Sequence, residues 1–436
     1  MKLKRQYFDV KDVIFSDKTQ YKDGVLSINE EELLEKIRPL MKSVTDVDFE
    51  LVKPGESARI VHVLDTIQPM YKVEGIGKQY SGFFGHPNVV GEGITNLLRG
   101  FTVMESAPLP WDESSASSGL LYPRDAIIDM IGPIAGFTPF SQTINLVITY
   151  KLLEGKSSAE YDNDIRLCGL KVSEILAELT VGQVPNEVEE FSISNINPEL
   201  PNVVLVWQCQ NQGVYSNTYL YAHDISNLVP TLLHPNEMLD GCIVSGNYVW
   251  PAFKVPTYLH VNHPILLELY RLHNKELNFR GVILSRSHNP TNWHKERSAN
   301  FCVKLAKYLG ADGLIMAWEG GGNAAVDGML TIQAAEKNGI KASTITFEFG
   351  GVDGTEGILL VDDVPEADAI ISGGSIEKPY TLPKVERVVG GEVLRLNKES
   401  GGYFPPANKS ITFDTTTHFY CSGNQSGHGK LFAEAY

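Results

Sequence analysis

The residues best suited to chemistry lie in four short loops, each of which directly follows an apolar run in the second half of the chain. They are residues 285–290 (SRSHNP), 318–323 (WEGGGN), 348–354 (EFGGVDG) and 372–375 (SGGS). Glycine allows backbone N–H groups to approach a ligand, and the N-terminal end of a helix attracts anionic groups such as an amino-acid carboxylate. Glycine at such turns also serves turn geometry alone. The loops therefore predict a binding site for a small molecule, with turn formation as the alternative.

Two carboxylates are candidate functional groups because each comes at the end of a predicted strand. Glu319 and Glu348 could orient an ammonium group or act as an acid or base, or they could be solvated surface residues. We favour Glu319, because it immediately precedes three glycines that would cradle the same ligand. The candidate binding residues of this loop are Gly320, Gly321, Gly322 and Asn323. No dinucleotide-binding or phosphate-loop pattern follows the first strand of this half, which argues against a nucleotide ligand.

Four histidines form a weaker candidate set. His260 and His263 are close in sequence, and so are His288 and His294. Neutral imidazoles are good ligands for divalent metals, but the spacing matches no H-E-x-x-H zinc helix. A metal site is therefore the alternative, and packing or helix capping is the favoured role.

The elements that must position these loops change in character along the chain. Residues 1–183 predict a β-rich α+β domain whose long helix covers residues 159–179, and residues 184–202 predict an acidic linker. Residues 203–436 predict a doubly wound α/β domain that carries the substrate crevice. In such a sheet the ligand lies beyond the carboxyl ends of the strands, where the four loops stand.

The strands and helices of this second domain alternate. Strands are predicted at residues 203–207, 281–284, 313–317, 343–347 and 369–371, and helices at residues 264–274, 294–309 and 324–338.

Composition excludes several classes of function. The formal charge of −16, from 53 acidic and 37 basic residues, argues against a nucleic-acid partner. No apolar stretch approaches the roughly 18 residues of a membrane span, so we expect a cytoplasmic protein. The five cysteines are widely separated, which argues against disulfides and thiolate zinc sites.

Residues 234–250 (HPNEMLDGCIVSGNYVW) carry a resemblance to a known family, the component B alpha/beta proproteins of glycine, sarcosine and betaine reductases. Similar passages occur in family order over nearly the whole chain, at residues 50–60, 128–133, 138–141, 295–298, 319–323 and 351–354. The resemblance implies an oxidoreductase subunit that binds a small amino-acid derivative within an oligomeric complex. It also implies a selenoprotein or thiol-protein subunit as partner.

One departure from this family bears on the cofactor. The family's proprotein is cut after an Asn, and the following Cys becomes a pyruvoyl group, whereas this chain has Asn247 followed by Tyr248. A phenol is not a β-leaving group, so tyrosine cannot undergo the elimination that yields pyruvoyl. We therefore expect an uncut chain with no pyruvoyl and no other cofactor.

The resemblance also adds residues to the candidate site. Tyr248, Glu319 and Cys242 are the catalytic candidates, although a buried strand position is the favoured interpretation of Cys242. Asn247, Trp250 and Tyr258 are further binding candidates. They join Glu348 and residues 320–323, here called the glycine loop. The rings of residues 248, 250, 253 and 258 would suit a methylated ammonium group through cation–π attraction of about 0.5–2 kcal/mol each, or would fill a core.

Three functions remain open on the sequence alone. The first is the substrate-binding subunit of a reductive-cleavage complex that acts on a C–N or similar bond. The second is a non-catalytic scaffold that retains the fold after losing the pyruvoyl chemistry. The third is a histidine-based, metal-dependent lyase or hydrolase.

Overall fold

The computed structural model describes residues 1–110, 125–211, 213–248, 250–353, 355–356, 360, 362–396 and 404–429, with only the backbone of residues 213–216 and 247–248. The strands of the first half are β1 Leu3–Asp9, β2 Asp12–Phe15, β3 Gln20–Lys22, β4 Val25–Ile28, β5 Val44–Val52, β6 Ala58–Val61, β7 Val63–Ile67, β8 Met70–Glu74, β9 Gly93–Arg99, β10 Phe101–Ser106, β11 Ile127–Asp129, β12 Ile144–Leu152 and β13 Glu187–Phe191. Its helices are α1 Glu30–Ile37 and α2 Ser158–Glu178.

The second half continues the numbering. Its strands are β14 Asn202–Cys209, β15 Gly213–Ser216, β16 Tyr219–Leu220, β17 His223–Asp224, β18 Thr231–Leu233, β19 Ile243–Val244, β20 Asn247–Tyr248, β21 Asn278–Arg286, β22 Gly313–Trp318, β23 Lys341–Glu348, β24 Ile370–Ser375, β25 Tyr380–Leu382, β26 Arg387–Val389 and β27 Ile411–Phe413. The helices are α3 Pro235–Leu239, α4 Thr257–Val261, α5 Pro264–Leu272, α6 Asn292–Tyr308 and α7 Asn323–Lys337.

The first half is built around the long helix α2. This helix begins at a capping box, in which the Ser157 side chain and Glu160 satisfy each other's backbone N–H groups. It packs against strands of two four-stranded sheets, which have the orders β13-β1-β9-β8 and β5-β12-β10-β7. The helix predicted at residues 159–179 is thereby confirmed.

The segment predicted as a linker contributes a strand. β13 lies within residues 184–202 and pairs antiparallel with β1. One hydrophobic cluster is continuous between the two halves, because Leu3 and Val52 of the first half pack in the same core as Trp207 and Phe279 of the second. The division at residues 184–202 stays a prediction.

The second half contains a six-stranded sheet with the order β18-β21-β14-β22-β23-β24. All neighbours are parallel except β18, which pairs antiparallel with β21. Alternate residues of β14 face opposite sides: Val204 and Val206 pack with α6 and α7, and Leu205 packs with α5 in the main core. Helices on both faces confirm the predicted α/β class.

Strand order fixes where a ligand should bind. The chain passes from β14 to β21 on one side and then crosses to β22 on the other side. This reversal opens a crevice beyond the carboxyl ends of β14 and β22. The five strands and three helices predicted for this region are all present, with ends shifted by a few residues.

In the described part of the chain, no helix is both long and apolar enough to cross a bilayer.

Candidate functional site

Glu319 stands at the crevice, as the first residue after β22. Gln208 on β14 pairs with Trp318, and the backbone N–H of Glu319 donates to the carbonyl of Gln208 at 2.9 Å. The predicted catalytic carboxylate therefore lies at the point where the order of the sheet reverses.

The Glu319 carboxylate is fully buried and joins three segments of the chain. Its Oε2 accepts hydrogen bonds from the Gln210 N–H at 2.8 Å and the Thr218 hydroxyl at 3.3 Å, and its Oε1 accepts from the Val255 N–H at 3.3 Å. Donors from three separate segments thus converge on one side chain. Glu319 thus acts first as a positioning residue, which fixes the chain around the crevice.

Two of the candidate histidines lie beside this carboxylate. Nε2 of His260 is 3.4 Å from Glu319 Oε1, and the rings of His260 and His263 both pack edge-on against Trp207. His263 begins α5, where its Nδ1 accepts from the Leu266 N–H at 3.4 Å. Burial, with smaller effects of His260 and His428, lowers the pKa of His263 to about 3, so this ring is neutral at neutral pH.

The other two candidate histidines, His288 and His294, lie in different parts of the structure. Burial lowers the pKa of His288 to about 3, with Lys295 adding to the effect, and His288 lies against the glycine loop. His294 instead belongs to the first turn of α6, where its Nδ1 bonds to the Thr291 hydroxyl at 2.7 Å. Within the described ranges, no group of three or more His, Cys, Asp or Glu side chains is arranged to hold a metal ion.

The glycine loop needs its glycines for close packing. A Cβ on Gly320, which has φ of +88°, would overlap the Gln210 side chain and come within 3.0 Å of His288. A Cβ on Gly321 would lie 2.7 Å from Phe253. Gly322 has φ of +60° and precedes Asn323, the first residue of α7. The lack of a side chain at Gly320 and Gly321 therefore makes room for Gln210, His288 and Phe253.

The predicted aromatic group is assembled only in part. Trp250 stacks on Phe253 with ring centroids 5.2 Å apart, and Phe253 stacks on Phe347 at 4.4 Å. Tyr258 is elsewhere, packed edge-on against Phe140 at 5.3 Å in the main core. The side chains of Asn247 and Tyr248 lie outside the described residues, although their backbone pairs with β15.

Cys242 and Glu348 complete the predicted set. Burial, together with Glu237 and Asp240, raises the pKa of the Cys242 thiol well above its usual value. The thiolate that a nucleophile requires is therefore disfavoured, and Cys242 is a core residue. Glu348 is the last, half-buried residue of β23, and its carbonyl accepts from the Ile376 N–H at 3.1 Å.

Residues 416–428 line the same crevice and were not predicted. The Gln425 amide donates to the Gly320 carbonyl at 2.8 Å, and the N–H groups of Cys421 and Gly423 donate to Pro251 at 2.8 Å and Ala252 at 2.7 Å. This segment has the same density of small polar residues as the four predicted loops. It was missed because it follows no apolar run.

Residues 246–256, here called the junction loop, are closed at their base. The Ser245 N–H donates to the Thr257 hydroxyl at 2.9 Å, and that hydroxyl donates to Asp65 Oδ2 at 2.5 Å. Nζ of Lys254 lies 3.5 Å from Asp65 Oδ1. The C-terminal end of the loop is therefore held both by Asp65 of the first half and by Glu319 of the second.

Comparison with known proteins places the whole chain in one family. Residues 1–434 match the family described as glycine/sarcosine/betaine reductase component B subunits. The chain belongs to this family. It is similar to the glycine reductase complex component B subunits alpha and beta of Acetoanaerobium sticklandii, with 38% identity over 87% of each chain.

Two further relatives come from Peptoclostridium acidaminophilum. The sarcosine reductase complex component B subunit alpha is 34% identical over 100% of both chains. The betaine reductase complex component B subunit alpha is 34% identical over 92% of this chain and 91% of the relative. No solved structure matches the sequence.

In this component B subunit, Gly321→Ala should disturb the aromatic stack. The added methyl group would press on Phe253, and we expect a loss of about 1–3 kcal/mol in the free energy of unfolding, with a changed near-ultraviolet circular dichroism signal. Gly313→Ala is the control, because its Cβ would meet Val203 at an ordinary 3.5 Å. Equal effects of the two substitutions would contradict the tight fit at Phe253.

Proposed function

We propose that this chain is the uncut, pyruvoyl-free substrate-binding subunit of a reductive-cleavage complex, which acts on the C–N bond of a small, N-substituted amino-acid derivative. The observation that carries the proposal is Tyr248, which stands where the family forms its pyruvoyl group, within a loop anchored by Asp65 and Glu319.

The residue at this junction does not fit the prosthetic group. Formation of a pyruvoyl group requires a heteroatom on Cβ that first attacks the preceding carbonyl and then leaves. Tyrosine carries an aryl ring on Cβ and has no such heteroatom. A Schiff base between a protein carbonyl and a primary amine is then not available, and the ligand must be held by non-covalent contacts.

The crevice offers such contacts. The junction loop presents Trp250 and Phe253 in a stack with Phe347, next to the glycine loop. Aromatic faces attract methylated ammonium groups by about 0.5–2 kcal/mol each. An N-methylated amino acid matches the aromatic part of this crevice.

The nucleophile of the reaction must come from a partner. The five cysteines of the chain are all buried, and burial raises the pKa of each thiol: Cys168, Cys209, Cys242, Cys302 and Cys421. The relatives are named as components of multi-subunit reductase complexes. A selenoprotein or thiol-protein subunit is therefore the partner that we propose.

A non-catalytic scaffold is the second candidate, because loss of the pyruvoyl-forming residue fits it equally well. The two candidates differ in what they require of Glu319. A scaffold needs the fold alone, whereas a substrate-binding subunit needs the junction loop in one position.

Intact-mass measurement of the purified chain tests the uncut state. We expect one species near 48.2 kDa and no product on treatment with a carbonyl reagent such as phenylhydrazine, because no pyruvoyl carbonyl would be present. Two fragments that meet at Asn247 and Tyr248 would overturn the proposal.

Glu319→Gln tests the role of the positioned loop. An amide can accept fewer hydrogen bonds than a carboxylate, so the anchoring of Gln210, Thr218 and Val255 weakens. In a complex reconstituted with co-purifying partner subunits, we expect kcat/KM to fall by about 10–100-fold. Activity of the complex that withstands both Glu319→Gln and Tyr248→Phe would favour the scaffold.

The matched control for this experiment is Glu35→Gln on the exposed face of α1. It should leave kcat/KM unchanged. Circular dichroism of all variants separates loss of fold from loss of the site.

A further inference from the structure

Two buried carboxyl groups face each other across the pair of strands β7 and β10. Asp65 and Glu105 are direct partners in the antiparallel register, just before a bulge between Glu105 and Ser106. Their exposed fractions are 2% and 1%. Like charges directly opposite in a sheet repel, and two buried carboxylates at close range do not both ionise readily. The arrangement requires a proton or a bound cation.

The two members of this pair have different environments. Asp65 accepts hydrogen bonds from the N–H groups of Thr66 at 2.9 Å and Thr257 at 3.1 Å, and from the Thr257 hydroxyl at 2.5 Å. Oε1 of Glu105 has no hydrogen-bond partner among the residues that the structure describes. Glu105 is therefore the member of the pair that takes the proton.

Four charged neighbours affect the pKa of Glu105. Burial raises the pKa of Glu105 to about 8; Asp65 and Asp162 add to the rise, and Arg166 and Lys254 oppose it. The other titratable side chains near Glu105 are Cys168, Tyr150 and Tyr420, whose own pKa values burial raises. These three groups stay neutral at neutral pH.

Gly169 in the middle of α2 makes room for this carboxyl group. A Cβ at position 169 would overlap Oε1 of Glu105. Glycine inside a helix costs about 0.5–1 kcal/mol relative to alanine, so it is an unfavourable choice unless something needs the space. Here the space is filled by Oε1 of Glu105, which has no hydrogen-bond partner among the described residues.

Acidic side chains outnumber basic ones among the described neighbours of Glu105 that affect its pKa. Asp65, Glu105 and Asp162 are opposed by Lys254 and Arg166, so these five groups sum to −1 when all are ionised. Burial of an unbalanced charge is expensive. One proton on Glu105, or one bound monocation, restores balance.

The cluster borders the C-terminal end of the junction loop. Lys254 belongs to this loop, and Thr257 closes its base on Asp65. The Arg166 guanidinium lies over the Tyr219 ring at 4.7 Å, and β15, which pairs with Asn247 and Tyr248, lies against α2. A ligand at this end of the junction loop would thus lie near both Glu319 and this cluster.

We propose that Asp65 and Glu105 form a binding site that holds one proton and exchanges it for the protonated amino group of a small ligand at the junction loop. The identity of that ligand as an amino-acid derivative rests on the proposed function. In the exchange, Glu105 releases its proton to water, and an N–H of the ammonium group donates a hydrogen bond to the resulting carboxylate. No covalent bond forms or breaks except the O–H bond of Glu105.

This exchange predicts which ammonium groups the site prefers. Secondary and tertiary ammonium groups keep an N–H that can donate to Glu105, whereas a quaternary ammonium group has none. The site should therefore prefer N-methylglycine and N,N-dimethylglycine to trimethylglycine.

The proton itself can be detected without any ligand. Infrared difference spectra between about pH 6 and about pH 10 should show a protonated-carboxyl C=O band that disappears at high pH. The band should be missing from Glu105→Gln and present in Glu35→Gln. Its persistence in Glu105→Gln would overturn the assignment of the proton to this pair.

The same proton makes stability depend on pH. Because the folded-state pKa of Glu105 is above its unfolded value, its stabilising contribution is complete below about pH 4 and is lost as the pH rises through about 8. Glu105→Gln should flatten the decline in the free energy of unfolding across this window. An unchanged decline would contradict the proposal.

Calorimetric titration with the three methylated glycines, in two buffers of different ionisation enthalpy near pH 7, tests the exchange. N-methylglycine and N,N-dimethylglycine should bind with release of about one proton, and trimethylglycine should bind at least about tenfold more weakly. Glu105→Gln should abolish the proton release and weaken the first two ligands by a similar factor.

Two outcomes would overturn the exchange. One is equal proton release by Glu105→Gln and the unaltered chain, and the other is equal affinity for all three ligands. If none of the three binds, the exchange and the choice of ligand both fail. The infrared band then still decides whether the carboxyl pair shares a proton, so the two failures are distinguishable.

Discussion

The structure of the site depends on the anchoring of one loop by two buried carboxylates from different halves of the chain. Asp65 holds the C-terminal end of the junction loop through Thr257 and Lys254, and Glu319 holds the same end through the N–H of Val255. Hydrogen bonds to buried charged groups contribute about 1.5–3 kcal/mol each, so the loop has little freedom to move away from either carboxylate. This restraint places Trp250 and Phe253 against the glycine loop.

The two carboxylates differ in the groups that surround them. Glu319 accepts hydrogen bonds from Gln210 just after β14, from Thr218 and from Val255 of the junction loop. Asp65 instead faces Glu105, and their shared environment contains two cations. The hydrogen bonds to Glu319 hold the loop in place, whereas the pair of Asp65 and Glu105 can release a proton. A subunit that has no pyruvoyl carbonyl would need such a group to recognise an amine.

Much of the second half could be predicted from the sequence, because parallel strands that are buried on both faces leave continuous apolar runs. Glu319 and Gly320–Gly322 followed from the rule that ligands bind at the carboxyl ends of such strands. Asp65 and Glu105 could not be found this way. They lie within apolar strands of the first half, and Asp65 meets Thr257 across 192 positions, a pairing that no local pattern encodes.

Other residues were misplaced for related reasons. Tyr258 and Cys242 are close in sequence to the junction, but the short helix α4 and the turn before β19 direct them into the core. Gly169 was a readable signal, since glycine in the middle of an otherwise strong helical pattern indicates a close neighbour, but the sequence does not say which neighbour.

The most direct test of the account is an experimentally determined structure of the uncut chain with N-methylglycine bound. The account predicts ligand density beside the junction loop, with the nitrogen within hydrogen-bond distance of Glu105 and the methyl group facing Trp250. Density at a site that touches neither the junction loop nor these carboxylates would contradict it.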